Sequence, residues 1–428
     1  MLLGILNAQA AAVTYWLATL GGASFDQGES LEVDSSNNLY QVGRQNSTGA
    51  GNIDGLIAKY NSSGVVQWQQ SLGGTDREDI YGSAIDSSDN VFELGQTGST
   101  GAGGNDFLLA KYNSSGVIQW QRVLGGTGDE EGSAAVADSS GNVYITGKTD
   151  SVGPGSDSLL LAKYNSSGTI QWQRTLGGTD QDEGHSLAVD SSNNVYVTGY
   201  TESYTGSFNY LLLAKYNSSG TIQWQRVLGQ SEYERGHSVT VDTSDNVYVA
   251  GQIISDTLLA KYNSSGTLQW QRTMSAGKFY ALATDSEDNV YGLGETTVSG
   301  SDNFLIAKYN TSGTIQWQRT LGSSGEVGYG FVIDSDDVLC LSGFSSGAGE
   351  GSRDFLLAKI PNDGSLTGTY VLNGVNMVYA ASSLTTATST LTSATSSLTS
   401  ATSSLTAATS TLTDSSASLT SHFVEIPA

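Results

Sequence analysis

Three histidines, one cysteine and a series of acidic loops are the residues of this 428-residue chain with types and spacings suited to chemistry. His185 and His237 are equivalent, each five residues before an aspartate (Asp190, Asp242), whereas His422 stands apart near the C-terminus. At the corresponding place the rest of the chain carries Glu29, Tyr81, Ser133, Tyr280 and Tyr329. Two imidazoles in neighbouring units suit metal binding or proton transfer. A position at the mouth of a channel accounts for them more simply. Acidic side chains recur at Asp76, Glu78 and Asp79, at Asp129 and Glu131, at Asp180, Asp182 and Glu183, and at Glu232 and Glu234. Hard cations take oxygen ligands, so Asp180, Asp182 and Glu183 are the candidate Ca²⁺ site. A carboxylate pair is also the apparatus of glycoside hydrolysis. Solvated charge that keeps a β-rich protein soluble is the plainest account of the same loops. No His/Cys metal spacing, phosphate-binding glycine loop or nucleophile elbow occurs, so Ca²⁺ is the one cofactor candidate. Cys340 falls in the apolar run 338–341 and reads as a buried thiol.

The elements that must position these residues come from a repeat. The words AKYNSSGTIQWQR, beginning at Ala162, recur nearly unchanged from Ala58, Ala110, Ala214, Ala260 and Ala307, with a degraded copy from Ala358. A period near 50 residues signals a repeat architecture. Within a unit, short apolar runs alternate with Asn/Ser/Gly turns, giving four antiparallel strands, the blade of a propeller. An aspartate precedes a glycine by nine residues in seven copies, from Asp34/Gly43 to Asp334/Gly343, and Lys precedes Trp by nine in six. The other two connections vary in length. Tight hairpins fix register and cannot change length, whereas loops can. One face of the ring therefore carries rigid turns and the opposite face carries variable loops, at 44–55, 96–107, 148–159, 200–211, 252–257, 295–304 and 344–355. Trp is missing at Gly368 and present at Trp16, so the N-terminal strand is expected to complete the last of seven blades. The short loop at 252–257 leaves a notch beside the long loop with Tyr200, Tyr204, Phe208 and Tyr210, the candidate ligand-binding residues together with His185 and His237.

The stretch from Asp190 to Gly199, DSSNNVYVTG, and its copies resemble the signature of the seven-bladed propeller repeat family called SBBP. The resemblance covers roughly residues 12–370. It implies an all-β seven-bladed propeller in an extracellular or surface-associated protein, and no catalytic residue carries over from it. From 382 the character changes. Leu384, Leu391, Leu398, Leu405, Leu412 and Leu419 are seven apart, and Ala387, Ala394, Ala401 and Ala408 follow a Leu by three. This is an a/d heptad, predicting a helical coiled-coil stalk over 382–421 that oligomerises the chain, with a trimer expected. The intervening Ser and Thr are poor helix formers, so only a shared seam would hold such a helix. Residues 1–11 read as a docking segment, 12–370 as the propeller, 371–381 as an apolar linker and 422–428 as a tail.

Acidic residues outnumber basic ones 42 to 18, for a net charge of −24, which argues against a nucleic-acid partner. Twelve of the basic residues hold repeat positions, where blade-to-blade or cross-strand pairing is expected. No run is long enough to span a membrane. A compact head on a heptad stalk resembles bacteriophage fibre or spike components in architecture. The expected function is thus a non-enzymatic virion attachment protein, bound to other virion or surface proteins and to a host-surface glycan or protein. A secreted or surface adhesin or lectin, and a polysaccharide hydrolase using the acidic loops, are the alternatives.

Overall fold

The computed structural model describes residues 14–426 except 50, 207, 230–232, 255, 324, 383, 389–391, 396–398, 403–405, 409–412 and 417–418; where residues 388–418 are described, it is by backbone alone. Each repeat folds as four antiparallel strands, called a to d from the axis outward. In blade 4 these are Asp182–Val189, Val195–Thr201, Tyr210–Tyr216 and Ile222–Gly229. Seven such sheets form the propeller. Strand c is buried along its whole length in blade 4. Both its faces meet neighbouring blades, so it reads as a continuous apolar run rather than an alternating one. Blade 7 is closed as expected: Tyr15–Gly21 supplies its strand d by pairing with Asp354–Ile360, Trp16 opposite Lys359.

The fixed spacings have a local cause. In the a–b turn of blade 4, Asp190 Oδ1 accepts from the Ser192 and Asn194 amides, at 3.0 and 2.8 Å, and Asn193 takes a left-handed φ of 60°. The other oxygen accepts from Tyr196 Oη at 3.1 Å and pairs with Lys215 Nζ at 2.9 Å. Burial raises the carboxyl's pKa, but the Asn194 and Lys215 bonds outweigh it and hold it below the usual range. In the c–d turn, Asn217 Oδ1 accepts from the Ser219 and Thr221 amides, which explains the sequon-like Asn as turn chemistry.

These turns also join blade to blade. Trp172 donates its indole N–H to the Ser218 carbonyl of the next blade at 3.1 Å, and Arg174 Nε donates to the Gly220 carbonyl at 2.8 Å. Repeat lysines thus pair across strands and repeat arginines bridge blades. On the rigid-turn face a second set of links runs round the ring. Ser191 donates its amide and hydroxyl to Asp245 of the next turn, at 3.0 and 2.9 Å. Ser35 does the same to Asp89, Thr243 to Asp288, Ser286 to Asp337 and Ser335 to Asn37, while Ser139 gives its hydroxyl to Asn193. At the seventh junction, from Ser87, the position equivalent to these acceptors is Gly141, which has no side chain to accept.

The helical stalk expected over 382–421 is corrected by the structure: the described segments there are strands, at Thr386–Thr388, Thr392–Thr395, Thr399–Thr402, Thr406–Ala408, Thr413–Ser416 and Thr420–Ile426. Each pairs antiparallel with strand d of one blade. The stretch 371–381, expected as a linker, belongs to a hairpin, Gly368–Leu372 with Val375–Ala381, whose second strand pairs with blade 6. Equivalent positions of strand d in blades 6, 5, 4, 3, 2, 1 and 7 face Tyr379, Thr386, Ser393, Ser400, Ala407, Asp414 and Ser421. The chain therefore circles the propeller backward, seven residues per blade. A leucine every seven residues reports an environment that recurs every seven residues, and a belt over a ring of blades supplies one as well as a helical seam does. Leu384 packs on the cluster between blades 5 and 6, and Leu419 on that between blades 7 and 1. Leu391, Leu398, Leu405 and Leu412 lie outside the described residues.

Candidate functional site: the channel and its loop-face rim

The innermost strands surround a cavity of about 320 Å³. Glu29, Tyr81, Ser133, His185, His237, Tyr280 and Tyr329 all line it, as their shared repeat position requires. Four of them form an arc of rings. His185 stacks on His237 with centroids 6.0 Å apart, His237 meets Tyr280 at 5.4 Å, and Tyr280 meets Tyr329 at 5.2 Å. Burial, helped by the nearby charges of His185, Arg235 and Lys278, pulls the His237 pKa down to about 3, so this ring is neutral. His185 places Nδ1 2.8 Å from the Gly236 carbonyl oxygen and Nε2 3.4 Å from a Glu183 carboxyl oxygen. His422 lies on the outer belt, 3.2 Å from Glu350.

Around the mouth, one pair position of strands a and b gathers charge of both signs. Arg44 pairs with Glu29 at 3.1 Å and Asp79 at 3.2 Å, Lys148 with Glu131 at 3.4 Å and Glu183 at 3.6 Å, and Lys278 with Glu295 at 2.8 Å. Arg235 lies over the Tyr200 ring, and Arg353 over Phe344 while donating to Gln27. These five and Arg77, bound to Asp79, are the six basic residues outside the repeat positions. Sequence reasoning missed them. Their signal was what remains once the repeat lysines and arginines are set aside.

The candidate Ca²⁺ residues are not brought together. Asp182 is fully buried, accepting the Gly178 amide and the Ser203 hydroxyl at 2.8 Å each. Glu183, next along the strand, faces the other way toward Lys148 and His185. Burial would raise the Glu183 pKa, but the His185 bond, Tyr200 and Lys148 hold it at about 2. Asp180 instead accepts from the Thr179 hydroxyl at 3.3 Å. Among the described residues no group of three or more His, Cys, Asp or Glu side chains is placed to hold a metal. The acidic loops have a different common role. Glu78 and Glu130, at the start of strand a like Asp182, accept the amides of Gly74 and Gly126, both at 2.7 Å, and clamp the entering loop.

The aromatic candidates divide. Tyr200 and Tyr210 are 2% and 5% exposed. Tyr200 continues strand b opposite Leu211, and Tyr210 begins strand c, so both are structural. Tyr204 and Phe208 are 38% exposed, Tyr204 resting edge-on against Tyr210 at 5.2 Å. Blade 5 adds Tyr233 at 63% and Ile254 at 58%. The notch expected at the short loop opens toward blade 6, as a cavity of about 480 Å³ between Gln252, Ile254, Lys278, Glu295 and Asp302.

Comparison with known proteins agrees with this architecture. Residues 171–204 match the family described as SBBP, a beta-propeller repeat. An uncharacterised WD repeat-containing protein of Acanthamoeba polyphaga mimivirus is 23% identical over 261 residues, 44% of this chain and 19% of that protein. The regulatory protein FlaEY of Caulobacter vibrioides is 28% identical over 195 residues, 40% of this chain and 20% of that protein. The matches thus span about a fifth of each relative's length. Among solved structures, the Dos1 propeller has a TM-score of 0.44 at 12% identity, covering 78% of this chain and 77% of its own. A gluconolactonase from Xanthomonas campestris has a TM-score of 0.39 at 13% identity, covering 67% and 90%. The chain is a seven-bladed β-propeller in which residues 171–204 match the SBBP repeat.

Proposed function

We propose that this protein is a non-enzymatic recognition module that holds a glycan or protein surface through the loop-face rim of blades 4 to 6. The observation that carries the reading is the cluster of exposed aromatic and apolar side chains there: Tyr204, Phe208, Tyr233 and Ile254. Aromatic rings with a wet face and a packed back suit sugar stacking and protein contact alike. Two further features support a binding role over catalysis. The turn-face signature residues are consumed by blade-to-blade bonds, and the mouth carboxylates Glu29, Asp79, Glu131, Glu183 and Glu295 each face a basic partner. The setting proposed is an extracellular particle or surface, as for a virion fibre protein, where an acidic head presents its loop face outward.

The test is attachment of labelled protein to a glycan array and to intact cells. Tyr204→Ala with Phe208→Ala should weaken binding at least tenfold without moving the melting temperature, and Tyr233→Ala should add to the loss. The control changes Ser166 and Ser218 to Ala on the turn face. Equal loss in both, or turnover of any glycan on the array, overturns the proposal.

A further inference from the structure

The channel contains a feature independent of the rim. Glu32 lies three residues along strand a from Glu29 and lines the same cavity. Its carboxyl accepts one bond, from Ser83 Oγ at 3.2 Å, and that hydroxyl also reaches Ser30 at 2.8 Å. Glu29 at the mouth has Arg44; Glu32 has no basic partner among the described residues, and no Lys or Arg lines the cavity. An acid held in a polar cavity without a counter-charge is destabilising unless something completes it.

We propose that the channel binds a small organic ammonium ion, with Glu32 as its counter-charge. The chemistry follows from what the cavity offers. An ionised carboxylate accepts N–H bonds, and an ammonium group carries three donors with the charge that Glu32 lacks. An anionic ligand would meet Glu32 with nothing to offset it. The field of a chain with net charge −24 also concentrates cations. About 320 Å³ admits a diamine or an amino acid side chain but not a folded peptide. Burial keeps the carboxyl neutral up to about pH 7, so binding draws its proton off. The other titratable groups facing the cavity are Glu29, Tyr81, His185, His237, Tyr280 and Tyr329.

The experiment is isothermal titration of the full chain with putrescine, in 150 mM salt to suppress binding to the acidic surface. One site per chain is expected. Apparent affinity should rise about tenfold between pH 6 and pH 8, and at pH 6 the heat should vary with buffer ionisation enthalpy, reporting proton release. Glu32→Gln, nearly isosteric, should lose at least tenfold in affinity and the proton release, with an intact melting transition. Tyr204→Ala with Phe208→Ala should change neither, which separates this site from the rim. Absence of saturable heat, equal binding by Glu32→Gln, or equal heat with glucose in place of putrescine overturns the proposal.

Discussion

The open junction in the turn-face ring offers a substitution that should strengthen the protein. At six blade interfaces a Ser or Thr donates to an Asn or Asp in the left-handed region; at the seventh, that of Ser87, the residue equivalent to the acceptor is Gly141, whose φ is 75°. A Cβ at Gly141 would meet only Ser166 Cβ, at 3.8 Å, an ordinary contact. Asn is the fitting replacement, because Asn37 already serves Ser335 by accepting its amide at 3.2 Å and its hydroxyl at 2.9 Å through one oxygen. Asn also adds no charge. Two partly exposed hydrogen bonds contribute roughly 0.5 kcal/mol each. Replacing Gly lowers the entropy of the unfolded chain by about 0.4–1 kcal/mol, which roughly offsets the left-handed strain of Asn. The net expectation for Gly141→Asn is about 1 kcal/mol of added stability. At a urea m-value of about 3 kcal/mol/M, that is a midpoint shift of about 0.3 M. The decisive form is a double-mutant cycle with Ser87→Ala. If Gly141→Asn stabilises equally without the Ser87 hydroxyl and by chain entropy alone, or if it destabilises, the linked-turn account of the ring is wrong.

Gly220→Ala should destabilise by about 2 kcal/mol, because its Cβ would lie 2.7 Å from Trp172 Cδ2 at a φ of 75°. Gly300→Ala, with φ 89° and nothing within 4 Å, carries the strain alone and should lose about half as much in the same urea titration. Glu32 should make the fold less stable as pH rises, against His237, whose depressed pKa adds stability between about pH 3 and 6.5. Below about pH 4.5 Glu32 is protonated in both states and contributes no difference; from there to about 7 the unfolded chain ionises first, and above 7 the loss is complete. The full difference corresponds to about 3 kcal/mol. Glu32→Gln should remove this contribution, leaving those of His237 and of Glu29, which burial raises to about 8 despite Arg44. An unchanged slope in the variant would refute this assignment.

What could be read from the chain depended on how local its cause was. The nine-residue Asp/Gly and Lys/Trp spacings follow from hairpins a few residues wide, so blade count, register and closure by Trp16 were legible. So was the channel ring, because Glu29, Tyr81, Ser133, His185, His237, Tyr280 and Tyr329 share one strand position. The loop aromatics were legible only in part. Whether Tyr200 or Tyr204 reaches solvent depends on where strand b stops, and the pattern there is aromatic on both sides of Thr201. The acidic clusters misled because adjacent carboxylates on a strand point to opposite faces, as Asp182 and Glu183 do. The tail was misread through its period. Its Ser and Thr, weak in helices and good in strands, already pointed toward added strands.

The backward belt makes two lengths in this protein commensurate. Seven blades and a seven-residue tail step are separate numbers, yet the tail meets equivalent positions from Tyr379 to Ser421 once per blade. Duplicating one blade unit would leave that blade without its outer strand, and every later tail contact would slip by one blade. A viable eighth blade therefore requires a second, seven-residue duplication near the C-terminus. The ring size of this propeller is recorded twice in its gene, and the two records can change only together.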